Sequence, residues 1–154
     1  MPCLAPRLHG VMSDRHPAVV IHGLADARAV LAVGRPVTLL SGPGAALYAG
    51  CGWWHALIIR ARSEYAGVTF DDILDCADAS GLALGALRIG QRRLVLTPDA
   101  PGWASVVSIA TSLGGEIFTS RPPALDMAEH GAARRLHDWL QLRTTPDDNG
   151  HAVS

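Results

Sequence analysis

Ser41-Gly42-Pro43-Gly44-Ala45 is the sharpest chemical signal in the chain: a β-branched run passes through a glycine turn into a helical stretch. The first N–H groups of such a helix have no partner within it, and its dipole favours negative charge, so Gly42, Gly44 and Ala45 can receive a phosphate or carboxylate, with Ser41 beside them. It is not the full dinucleotide fingerprint, because Leu47 stands where the third glycine belongs. A plain tight turn is the simpler reading of so short a motif.

Asp75-Cys76-Ala77-Asp78 is the second constellation. Two carboxylates and a thiol on one loop can bind a divalent cation or act as acid, base and nucleophile. The arginine that a cysteine-dependent phosphatase carries six residues after its nucleophile is replaced by Leu82. The structural alternative makes Asp78 or Ser80 a helix cap and Cys76 a small buried hydrophobe. His22 follows an apolar run and can serve as base or hydrogen-bond donor, while Arg121 can clamp an anion from the end of a late strand. The other histidines fall in the arms or beside helices and show no metal-ligand spacing, so no metal site is predicted. No Gly-x-Ser-x-Gly elbow is present.

All 13 basic residues are arginine, which removes the lysine of a Walker loop, Schiff-base lysines and the lysine that anchors pyridoxal phosphate. It also removes the lysine expected of a response-regulator receiver. The residues name no cofactor. A formal charge of -1 gives no reason to expect nucleic acid or an anionic membrane surface. The longest nearly apolar run, 45–59, falls short of the roughly 18 residues that span a bilayer. Three cysteines without a signal sequence point to a reducing compartment, and the cytoplasm is the expected location.

These groups need a scaffold, and the chain repeats one beat: a helical run stops at Gly34, Gly67, Gly90 or Gly114, and a β-rich stretch follows. Helix, glycine stop and strand are the punctuation of a parallel βα sheet. The pattern predicts strands at 18–21, 37–40, 73–77 (its start left open, because Asp71 and Asp72 interrupt the apolar run from 68 to 74), 93–97 and 116–119. Helices are predicted at 24–33, 45–63, 82–89 and 103–113, with a last one marked by Ala132, Ala133, Leu136, Trp139 and Leu140. Residues 1–15 are read as a disordered arm, with Met12 a possible start, 16–143 as one α/β domain and 144–154 as a disordered tail.

Five strands alternating with five helices predict a mostly parallel sheet covered on both faces. This element order, over residues 17–142, resembles a flavodoxin-like or Rossmann-like three-layer α/β/α sandwich. Such folds host many unrelated functions, so the resemblance implies an architecture only. Ligands in open parallel sheets bind beyond the carboxyl ends of the strands, where His22, Ser41, Asp75, Asp78 and Arg121 all fall.

The leading expectation is a domain that binds a small anionic metabolite or nucleotide at that edge. A small hydrolase or transferase using Cys76 or Ser41 as nucleophile and His22 as base is the enzymatic alternative. The third class is a homo-oligomeric assembly module, because Tyr48, Trp53 and Ile59 fall off the core stripe of the 45–63 helix and form a second apolar face.

Overall fold

The computed structural model describes residues 15–141. The expected disordered arm, apart from Arg15, and the tail lie outside the described residues. The fold is α/β, of the flavodoxin-like or Rossmann-like class, with an entirely parallel sheet of six strands rather than five. The strands are β1 (Ala18–Ile21), β2 (Val37–Ser41), β3 (Phe70–Asp75), β4 (Arg93–Val95), β5 (Glu116–Phe118) and β6 (Ala124–Asp126). The helices are α1 (Leu24–Leu31), α2 (Ala45–Tyr48), α3 (Cys51–Glu64), α4 (Ser80–Arg88), α5 (Trp103–Ser112) and α6 (Ala132–Gln141), with α2 and α3 consecutive and no helix between β5 and β6. The glycine stops work as expected after α1, α4 and α5, where Gly34, Gly90 and Gly114 hold φ of 78°, 107° and 77°. Gly67 is not in that region.

Strand order is β5-β4-β3-β2-β1-β6, so the chain steps one place at a time from β1 to β5. Right-handed crossovers taken always in one direction deliver their helices to one face. That face carries the larger core: Val19, Leu39, Leu74, Leu94, Ile117 and Leu125 from the strands meet Leu31, Trp54, Leu87, Val106 and Leu136 from the helices. The opposite face buries one residue from each of β1 to β5, namely Val20, Leu40, Ile73, Val95 and Phe118. The two faces thus bury unequal cores.

That second face is covered because the sheet rolls. Laid flat, β5 and β6 would stand about 24 Å apart, five strand spacings. The link 119–123 can span only about 20 Å even when fully extended. Arg15, just before β1, also reaches Glu116 on β5 as an ion pair, and its guanidinium lies 5.0 Å from the centre of the Phe118 ring. The short link between β5 and β6, bent at Thr119 and Ser120, therefore leads from the strand beside β4 to the strand beside β1.

Three predicted boundaries move. The single helix expected at 45–63 is two helices, α2 and α3, broken at Ala49-Gly50, where Gly50 takes φ 87°. Strand β3 starts earlier than 73, because Asp71 and Asp72 are held inside it by partners: Asp71 faces Arg93 at 3.5 Å, and Asp72 accepts Trp54 Nε1 at 3.0 Å. Strand β6 was not expected, since Pro122-Pro123 reads as a breaker and only three residues then pair with β1. The last helix is held to the amino end of β1 by Trp139, whose Nε1 donates to the Ala18 carbonyl at 2.8 Å. No helix among the described residues is long and apolar enough to cross a membrane.

Candidate functional site

At the carboxyl end of the rolled sheet four charged or titratable side chains form two pairs, Asp75 with Arg121 and Asp126 with His22. Asp75, the last residue of β3, accepts a bond from Arg121 Nη1 at 2.7 Å. Asp126, the last residue of β6, belongs to a second pair and makes no ion pair with Arg121 among the described residues. Asp126 Oδ1 lies 2.6 Å from Nε2 of His22, which follows β1. The parallel pairing of β1 with both β2 and β6 is what brings His22 and Asp126 to the same rim, although 104 residues separate them.

The four side chains are graded in exposure. The Asp75 side chain is 5% exposed, against 26% for Arg121, 30% for Asp126 and 38% for His22. Asp75 is also locked by its neighbours: Oδ1 accepts the Ala77 N–H at 2.8 Å, and its own N–H donates to Ser41 Oγ at 2.9 Å. Ala77 takes φ 51°, a left-handed conformation uncommon for a residue with a Cβ, and is kept there by bonds from Thr97 to its carbonyl. Burial alone would raise the Asp126 carboxyl, but bonds from the Ala128 N–H and His22, with the charges of His22 and Arg121, hold it below its ordinary value. Arg121 gives one nitrogen to Asp75, and among the described residues its remaining N–H groups meet no other side chain at the partly exposed mouth.

The glycine turn lies beside His22. The Tyr48 hydroxyl and the His22 ring flank the point where a Gly42 Cβ would stand, at 2.6 Å and 3.3 Å. Gly42 thus leaves room between a phenol and an imidazole. Gly44, at φ 63°, starts α2 and packs toward Ala77, joining the β2 and β3 ends.

Several expected roles are not supported by this placement. The anion cradle at Gly42, Gly44 and Ala45 was expected to draw on a long helix, but α2 has four residues, and the Ala45 N–H is spent on the Gly42 carbonyl at 3.1 Å. Ala45 itself is buried. Ser41 is fully buried with its hydroxyl committed, donating to the Gly42 carbonyl at 3.2 Å while accepting from Asp75. Cys76 lies in the helix-side core, fully buried, and its thiol is pushed up to about 12 by burial first, then by Asp75 and Cys51. It is therefore apart from His22 and poorly disposed to act as a nucleophile. Asp78 is exposed on the turn after β3, and no side chain caps α4; Ser80 donates instead to the Pro101 carbonyl.

The apolar face of Tyr48, Trp53 and Ile59 is divided by the helix break. Tyr48 (69% exposed) sits at the mouth, Trp53 packs partly into the core against Trp54 at 5.9 Å between ring centres, and Ile59 (55% exposed) lies farther along α3.

Asp126 is the site residue that sequence reasoning missed, and Tyr48 was assigned only to an oligomer face. The available signal for Asp126 was the run Ala124-Leu125-Asp126 after the two prolines, a short alternating edge strand ending in a carboxylate. Among the described residues no group of three His, Cys, Asp or Glu side chains is placed to hold a metal ion. No family model matches the chain, and no curated protein is detectably similar to it.

Proposed function

We propose that this domain binds a small anionic molecule at the carboxyl-end mouth of its rolled sheet. Arg121 is the anion-facing cation, and His22 and Tyr48 are the neighbouring polar contacts. The observation that carries this reading is the Asp75–Arg121 pair, in which a nearly buried carboxylate fixes a partly exposed guanidinium at the strand ends, with the imidazole that Asp126 orients at the same end of the sheet. The weight moves from the glycine turn to Arg121, while Gly42 and Gly44 shape the space. In this reading the protein works in the cytoplasm, in keeping with unpaired Cys51 and Cys76.

The test is isothermal titration of the purified protein with a panel of small phosphates and carboxylates, followed by Arg121→Met. Saturable binding that weakens at least about tenfold in the variant, the value of one lost charged contact, supports the reading. Undiminished binding by Arg121→Met refutes it.

The His22–Asp126 contact favours a second reading, turnover by acid–base chemistry. A carboxylate on Nε2 orients the ring and leaves Nδ1 toward the Gly42–Tyr48 space. With Ser41 and Cys76 buried, the attacking group in a small hydrolase or transferase would be water or a second substrate rather than the protein. Loss of turnover in Asp126→Asn with ligand binding retained would separate this reading from simple binding.

A further inference from the structure

Away from the mouth, a cavity of about 210 Å³ opens between α3 and the start of β4, with His55, Ile59, Arg62, Asp72, Gln91 and Arg92 among its lining. Asp72 is the one carboxylate on this lining, and it is saturated. Its oxygens accept Arg62 Nη2 at 3.1 Å, Trp54 Nε1 at 3.0 Å and Gln91 Nε2 at 2.9 Å. The charge of Arg62 is thereby answered. Arg93 directs its charge to Asp71 at 3.5 Å and Glu116 at 3.7 Å.

Arg92 differs. One of its terminal nitrogens, Nη1, donates to the carbonyls of Leu87 at 3.0 Å and Gln91 at 3.2 Å, which pins the guanidinium against the end of α4. No carboxylate among the described residues pairs with it, so its charge and its other donors are unspent. On the facing wall the His55 ring comes to 3.8 Å from where a Gly90 Cβ would stand, and Ile58 and Ile59 supply an apolar side. A pinned cation with free donors, an imidazole and an apolar wall around a hollow of this size suit one ligand chemistry. At about 30 Å³ for each water displaced, the hollow takes a molecule of several heavy atoms.

We propose that this cavity is a second ligand site, for a small oxyanion carrying a short apolar tail, held by Arg92 with His55 and Ile59. It is independent of the mouth, since Arg92 stands where the chain enters β4 and the mouth lies where strands leave the sheet.

The experiment is amide and imidazole NMR of the full chain titrated separately with butyrate, acetate and inorganic phosphate. The expected result is a saturable shift of the Gly90 and Gln91 amides and of the His55 ring. Binding should weaken roughly tenfold in Arg92→Gln, as for one lost charge-assisted contact, and be unchanged in Arg121→Met. His55→Ala, on the other wall and clear of the α4 end, should weaken binding as well. Butyrate binding more tightly than acetate and phosphate marks a carboxylate ligand, and phosphate binding most tightly marks a phosphate ester; either supports the site. No saturable change at Gly90 and Gln91 with any probe, or equal affinity in Arg92→Gln, overturns it. Shifts confined to Gly42 and Arg121 also overturn it while leaving the mouth reading in place.

Discussion

Replacing Arg121 with methionine removes a charge while keeping most of the side-chain stem, so it isolates what the Asp75–Arg121 pair contributes. Breaking a fully buried ion pair by removing one partner costs about 3–5 kcal/mol, because the remaining charge is stranded. Here Asp75 is nearly buried at 5% side-chain exposure, whereas Arg121 is 26% exposed, so water can enter where the guanidinium was. Oδ1 also keeps the Ala77 N–H, and only Oδ2 loses its donor. The expected cost is therefore about 2 kcal/mol, within the range for a buried acceptor left without a partner. For a domain of this size that corresponds to a fall in melting temperature of roughly 7 °C.

The rescue is the stronger part of the prediction. Asp75→Asn in the Arg121→Met background removes the stranded charge but keeps a carbonyl for the Ala77 N–H. It should recover more than half of the lost stability. Urea unfolding at neutral pH, with the denaturant slope unchanged between variants, measures all three differences. If Arg121→Met is within about 0.5 kcal/mol of the parent, or if the double variant is no more stable than the single, the pair is not a buried one and the argument fails.

Cys76 should remain unmodified by iodoacetamide in the folded protein at pH 8 and react only after unfolding, because its thiol is fully buried and titrates at about 12; peptide mapping that finds it labelled as fast as Cys51 would contradict its placement. Gly115→Ala should cost about 1–3 kcal/mol in urea, since the added Cβ would meet the Arg92 carbonyl oxygen at 2.5 Å and the Ala110 carbonyl oxygen at 3.2 Å, both backbone atoms that cannot step aside; a neutral result would show that the α5–β5 corner is looser than described. The folded Asp126 carboxyl is held below its ordinary 3.8, so the stability it contributes is whole above that value and lost as pH falls through the folded value. Glu64, held at about 2 by Arg28 and then Arg60 from an ordinary 4.5, adds loss with the same sign below 4.5, and Asp126→Asn should make the acid limb of the stability–pH curve shallower than the parent's.

What the sequence carries and what it hides divide along the range of the interactions. The strands β1 and β2 and the stops at Gly34, Gly90 and Gly114 are local features, written in β-branched runs and in one residue type, and they were legible. The break between α2 and α3 was not, because the apolar period runs unbroken through Ala49 and Gly50, and a glycine does not announce which φ it will adopt. Strand β6 and the early start of β3 depend on distant partners. Ala124 pairs with Ala18, and Asp71 and Asp72 are tolerated inside a strand only because Arg93, Arg62, Trp54 and Gln91 come to meet them.

The site divides the same way. Strand-end reasoning found His22, Asp75 and Arg121, but Asp126 required β6 and so was out of reach. Cys76 is the exception, since its fate follows from a local rule. Successive residues leaving a strand point to opposite faces, so Asp75 turned toward the mouth sends Cys76 into the helix-side core. A carboxylate and a thiol adjacent in sequence at the end of a strand are poorly disposed to share one pocket, and that spacing alone weighs against a nucleophile at Cys76.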